Sequence, residues 1–165
     1  MRRWIGYSAL GVGVLVAVVF VVGWLEPVGH SASRTLELEA PPDKVFAIVS
    51  DASRYPEWNS AVERVEVTAE PGPGQHVRLF GSYGEIPYTV EALEPPSRMV
   101  TRIDSGLDFG GTWTYDLRPS DAGTTLTITE DGEVYNPLFR FMARFVFGHH
   151  ATIDQFLADL PRAVE

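Results

Sequence analysis

The chain has 165 residues, room for one domain or for one domain with an anchor. Apolar residues make up 45% and charged residues 21%, which excludes a disordered or fibrous chain. The lack of cysteine excludes a disulfide framework, a thiol nucleophile, thiolate zinc and an iron–sulfur cluster, and a formal charge of −9 argues against nucleic acid, whose phosphates need a basic footprint.

From Trp4 to Leu25 the chain runs for 22 residues without a charge. As a helix this run is roughly 33 Å long, enough to cross the hydrocarbon core of a bilayer. Trp4 and Tyr7 sit near one end and Trp24 at the other, where aromatic rings favour the water–lipid boundary. Arg2 and Arg3 precede the run and Glu26 follows it. The positive-inside rule then puts the N-terminus in the cytoplasm and the rest outside it, as a single-pass protein of the cell membrane. Residues 1–25 read as an N-terminal transmembrane anchor, with residues 4–25 in the bilayer. A cleaved signal peptide is the competing reading, with Ser31-Ala32-Ser33 as its cleavage site. The apolar core of such a peptide usually runs about 7–15 residues, shorter than this one. Ala9, Gly13 and Ala17 form a small-residue stripe through which two such helices could make a weak homodimer. The chain beyond the anchor carries about −11, so charge alone does not hold it on an anionic membrane.

Residues 26–34 (EPVGHSASR) show no apolar period and read as a short tether, leaving residues 35–165 as one domain. Thr35–Glu39 alternates and predicts a strand. Pro41-Pro42-Asp43 opens a helix whose apolar face is Val45, Phe46, Ile48 and Val49. Asp51–Tyr55 is a second helical piece stopped by Pro56. Six strands follow, at Ala61–Thr68, Gln75–Ser82, Ile86–Leu93, Arg98–Asp104, Gly111–Arg118 and Thr124–Glu133, separated by Pro- and Gly-rich turns. Asn136-Pro137 is a helix cap and start. Leu138, Met142, Phe145, Ile153, Phe156 and Leu160 then mark one face of a long C-terminal helix. The expected architecture is an α+β helix-grip fold. It has a curved antiparallel sheet of about seven strands wrapped on that long helix, plus one N-terminal transmembrane helix. Such a sheet closes over an interior too large for side chains to fill, a binding site for an apolar molecule.

Pro41, Pro42, Val45, Phe46, Asp51, Tyr55, Pro56 and Trp58 carry a resemblance to the START-like (SRPBCC) superfamily. Within it the chain resembles the polyketide cyclase/dehydrase and lipid transport branch. Trp113-Thr114-Tyr115-Asp116-Leu117, Gly123-Thr124-Thr125-Leu126-Thr127 and the long helix after them also match, so the resemblance covers residues 35–163. It implies the fold and a pocket. The superfamily includes lipid carriers, hormone binders, polyketide cyclases and hydratases, so it implies no particular chemistry.

Alternation assigns faces to the strands. Trp113, Tyr115 and Leu117 share one face, and Leu126, Ile128 and Glu130 share another. The apolar members must face the cavity, which carries the Glu130 carboxylate inward with them; the plain alternative is a wet strand end. Met99, Thr101 and Ile103 face inward, leaving Arg98 and Arg102 as surface partners of acidic neighbours, with an inward Arg102–Glu130 pair as the alternative. Tyr88 offers a phenol for a ligand hydrogen bond. His149 falls on the helix face of Met142 and Phe145 and is either a polar handle or a core histidine. The candidate ligand-binding residues are Tyr88, Trp113, Tyr115, Ile128, Glu130, Met142, Phe145 and His149. Glu130 and His149 are the candidates for acid–base chemistry. The segment from Leu138 to Phe147 is apolar almost all round, with Arg140 and Arg144 at a spacing of four. It is either a cavity lip that touches lipid or a buried helix. No metal site or cofactor is implied.

Three functions fit this pattern. The first is a membrane-anchored binder or carrier of a hydrophobic small molecule or lipid. The second is a cyclase/dehydratase-type enzyme acting on a polyketide-like substrate, and the third is an interaction module whose cavity is filled.

Overall fold

The computed structural model describes residues 2–165 other than Ala69 and His149, and all side chains except those of residues 2–10, Val12 and Phe147. Helix α1 (Arg2–Leu25) leads into strand β1 (Gly29–Leu38). Helices α2 (Pro42–Ser50) and α3 (Tyr55–Trp58) come next, joined by a single 3₁₀ turn. Six strands follow in hairpin succession: β2 (Val62–Val67), β3 (His76–Gly81), β4 (Gly84–Glu94), β5 (Arg98–Ile103), β6 (Phe109–Ser120) and β7 (Gly123–Val134). The chain ends in α4 (Pro137–Met142), a π-helical turn (Ala143–Phe147) and α5 (Ala151–Val164). The seven strands form one antiparallel sheet in the order β1-β7-β6-β5-β4-β3-β2. The α2–α3 excursion therefore carries the chain from one sheet edge to the other. Register shifts at Val62/Arg64 and Val90/Ala92 mark bulges, which bend and twist the sheet.

The expected strands β2 to β7 are present, and the sheet is the seven-stranded antiparallel one anticipated. Three local expectations are corrected. β1 begins at Gly29 and pairs with β7 from Gly29↔Glu133 to Leu38↔Thr124, so most of the expected tether is sheet. Its inward positions are His30, Ala32, Arg34, Leu36 and Leu38, and the two polar members hide the alternation. Arg34 is accommodated because its guanidinium donates to Asp154 on α5 at 2.8 Å. Pro56 does not stop a helix but sits in the first turn of α3, where its missing N–H costs nothing. The long C-terminal helix is broken, by the π-helical turn and by Gly148 at φ +76.

The packed core lies between the β1–β7–β6 half of the sheet and helices α2 and α5. Val45 and Val49 on α2, Leu126 and Ile128 on β7, and Ile153 and Leu160 on α5 are fully buried there. Ile128, expected to line a cavity, belongs to this solid region. α5 is also tied to the corner before β2 by Asp159, whose Oδ2 accepts from the Ser60 amide at 2.9 Å, the Ser60 hydroxyl at 2.7 Å and Gln155 at 3.0 Å. Burial pushes the Asp159 carboxyl up, but these bonds and Arg162 outweigh it and hold it below its ordinary value. A carboxyl depressed in the folded state stabilises above the unfolded value of about 3.9, and that contribution is lost as pH falls through the lower folded value. Asp159→Ala is expected to cost about 1–3 kcal/mol in urea unfolding at neutral pH. The gap to the parent should narrow in acid; an equal gap at both pH values would refute the bond as its cause.

α1 packs by its C-terminal end on α4. Gly23 is the close-approach point, because a Cβ there would stand 1.9 Å from the Pro137 carbonyl oxygen. Arg140 donates to the Glu26 carbonyl at 2.8 Å, and Arg144 lies 4.0 Å from its carboxylate. The rest of the described helix is bare: Leu15, Val18, Phe20, Val21, Trp24 and Leu25 are all exposed. Among the described residues no helix is long and apolar enough to cross a membrane. Of the small-residue stripe, Gly13 and Ala17 are exposed, and the Ala9 side chain lies outside the described residues.

Candidate functional site

Where α2 and α5 cover β1, β7 and β6, the interior is solid; towards β3, β4 and β5 it opens into a cavity of about 730 Å³. The interior is therefore not filled, which removes the basis for the filled-cavity interaction module. Each strand contributes through alternation: Leu79 from β3, Ile86 and Tyr88 from β4, Thr101 and Ile103 from β5, Trp113 and Tyr115 from β6. α5 closes one wall with Phe156, and α4 covers another with Phe139 and Met142. The residues at the far end, Tyr55, Asn59, Tyr88, Thr101 and Tyr115, are buried, whereas Tyr83, Phe139 and Gly148 are exposed. The cavity thus opens between the β3–β4 turn and the α4–Gly148 segment.

Phe156 organises the aromatic wall. Its ring lies 5.1 Å from Trp58, 5.8 Å from Tyr55, 5.8 Å from Tyr115 and 6.2 Å from Trp113, mostly edge-to-face. Rings held this way form a rigid apolar surface rather than one that collapses into the space. At the closed end the hydroxyls of Tyr55, Tyr88 and Tyr115 are hydrogen-bond coupled, and Tyr55 also donates to the Val49 carbonyl at 2.6 Å. Burial pushes all three phenols well above their ordinary value, and the hydrogen bonds among them raise some and lower others without reversing that shift. They are neutral hydroxyls throughout the physiological range.

A second polar group stands on the wall formed by β1, β7 and α5. Glu130 Oε1 lies 3.3 Å from His30 Nε2, and its Oε2 accepts from the Thr152 hydroxyl at 3.2 Å. The Glu130 side chain is 18% exposed, so it is neither dry nor freely solvated. The pair is built around a glycine. A Cβ at Gly132 would lie 2.3 Å from the His30 ring and 3.0 Å from Glu130 Oε1. Gly132→Ala is expected to leave the fold intact, since the obstructed atoms end a movable side chain, but to push His30 off Glu130. The check is a crystal structure of the variant: the His30 ring should stand beyond hydrogen-bond distance of Glu130, and an unmoved imidazole would show that the pair is not held this way.

Of the expected ligand-binding residues, Tyr88, Trp113, Tyr115, Glu130 and Met142 line the cavity. Ile128 is in the solid core, as described above. Phe145 is 56% exposed and points away, its ring 4.9 Å from Phe141. The π-helical turn takes more residues per turn than the α-helical spacing that related Phe145 to Met142, and this rotates it off the cavity face. His149 lies outside the described residues. Arg102 does not pair with Glu130 but with Glu91 on the outer face, at 2.5 Å. Sequence reasoning missed His30 because it fell in the expected tether, and named Phe156 only as part of the apolar face of the C-terminal helix. Among the described residues no group of three His, Asp or Glu side chains converges as metal ligands would.

Solved structures share the fold. A START superfamily protein from Mycobacterium smegmatis is 21% identical with a TM-score of 0.64, over 82% of this chain and 97% of that one. Norcoclaurine synthase from Thalictrum flavum is 13% identical with a TM-score of 0.67, over 89% and 90%. The di-domain ARO/CYC BexL from the BE-7585A biosynthetic pathway is 17% identical with a TM-score of 0.66, over 99% of this chain and 60% of that one. No curated protein matches the sequence. Residues 29–165, which span the whole sheet, the cavity and the C-terminal helices, match the family described as polyketide cyclase / dehydrase and lipid transport, and the chain belongs to that family.

Proposed function

We propose that the protein is a membrane-anchored binder or carrier of a hydrophobic small molecule or lipid. The observation that carries this reading is the open cavity of about 730 Å³ with its aliphatic and aromatic walls. In this reading residues 4–25 span the bilayer, the N-terminus is cytoplasmic and the domain is extracytoplasmic. Two features support the anchor. The run is uncharged over 22 residues, and the described part of α1 leaves its apolar side chains bare, a surface that water disfavours and lipid does not. Since β1 starts three residues after Glu26, the domain sits directly against the anchor rather than on a tether. α4, which packs on α1, then holds the cavity opening close to the bilayer, where an apolar ligand is concentrated.

Native mass spectrometry on the full chain, gently extracted from the cells that make it, tests the carrier reading. The expected result is a co-purifying apolar molecule. An apo mass together with no uptake of added lipid would overturn it. Alkaline carbonate washing tests the anchor: the full chain should stay in the membrane pellet, and its release would refute the span.

A second reading has one observation in its favour, the Glu130–His30 pair inside an apolar cavity. In a cyclase/dehydratase-type enzyme the carboxylate would take a proton from a bound polyketide-like substrate, and the tyrosine hydroxyls would hydrogen-bond the oxygen on which charge develops. Glu130→Gln separates the two: a carrier keeps its ligand, whereas an enzyme accumulates unconverted substrate in the cavity.

A further inference from the structure

Two glutamates, Glu130 and Glu133, line the cavity, and no lysine or arginine does so among the described residues. On the α4 side of the opening, Arg140 and Arg144 are turned instead to Glu26 at the end of α1, beside a separate smaller cavity, and on the β3 side Arg64 lies over the Phe80 ring and pairs with Glu66. Glu130 is the deeper acid and is held in place from two sides, by His30 and by Thr152, with Gly132 leaving the room that the imidazole needs. The phenols at the closed end are neutral and bring no compensating positive charge.

From this arrangement we propose that the cavity selects uncharged or cationic amphiphiles, with a hydroxyl or amine as the polar end, and rejects those ending in a carboxylate or phosphate. The inference rests on the binder reading above and narrows its ligand. An anionic head brought into the apolar interior loses its water and meets Glu130 with no lysine or arginine in the lining to offset either charge. A hydroxyl or ammonium donates to the same carboxylate and gains from it. The apolar body of the ligand then lies along the Phe156 and Trp113 rings whatever the head.

The test is a competition with three probes of one chain length: hexadecanol, hexadecylamine and hexadecanoic acid. Equal amounts are given to the full chain in phosphatidylcholine nanodiscs at about pH 8.5, where the acid is ionised. Bound probe is quantified by mass spectrometry after rapid isolation of the chain. Alcohol and amine should each be retained at least about tenfold over the acid. In Glu130→Gln/Glu133→Gln, checked for folding by circular dichroism, that preference should collapse. Acid bound as well as alcohol by the parent chain would overturn the inference without any variant, and so would an undiminished preference in the folded variant. Failure to retain any of the three would remove the binder reading and this inference with it, whereas equal retention of all three would leave the binder reading standing.

Discussion

Leu160→Ala should lower stability by about 2–5 kcal/mol, while Phe139→Ala, in the same C-terminal third of the chain, should change it by no more than about 0.5 kcal/mol. Leu160 is wholly buried on α5, in the layer that also holds Val45, Val49 and Leu126, so truncation leaves a void that close-packed neighbours cannot fill. Phe139 on α4 is 46% exposed and borders the cavity, so its removal enlarges a space that already exists. A loss of the expected size is a large fraction of the roughly 5–15 kcal/mol that holds a typical domain together. Urea unfolding of the full chain in micelles, followed by tryptophan fluorescence, measures both. Similar losses for the two variants would mean that α4 and α5 act as one packed helix after all.

That contrast bears on what the sequence could reveal. Strands β2 to β7 were legible because apolar and polar residues alternate along them and Pro- or Gly-rich turns separate them; nearest-neighbour hairpins then leave one sheet order to choose. α2 was legible from its prolines and from the spacing of Val45, Phe46 and Val49, which are buried together. The C-terminal segment misled because its apolar spacing runs on through the break. Leu138 to Phe147 is apolar almost all round, broken only by Arg140 and Arg144, and a helix resting on one sheet would have shown a stripe instead. The segment lies between α1 and the cavity opening, and so uses more than one face. β1 failed for the opposite reason. His30 and Arg34 occupy inward positions, and both are stabilised by partners more than 90 residues away in sequence, Glu130 and Asp154, which no local pattern reports. The site was accordingly legible on its β4, β6 and β7 walls and not on the β1 side, where His30 completes the Glu130 pair.

Thr101→Trp combined with Ile103→Trp should reduce retention of any hexadecyl probe by at least about tenfold while the protein stays folded. The two positions alternate to the same face of β5, and both line the cavity. Adding side-chain volume in a close-packed core forces strain of about 1–3 kcal/mol, but here the added rings enter space that no side chain occupies, so the cost should fall below that range. The indoles also extend the existing aromatic wall, since Thr101 pairs with Trp113 and Ile103 with Tyr88 across the neighbouring strands. Because neither substitution touches the Glu130 pair, the variant separates volume from charge. All three probes should be lost together, with whatever order of preference the parent shows among the residual traces. Parent-like retention in the doubly substituted protein would place the ligand elsewhere, and the bare apolar side of α1 would then be the surface to examine, since it does not depend on the cavity.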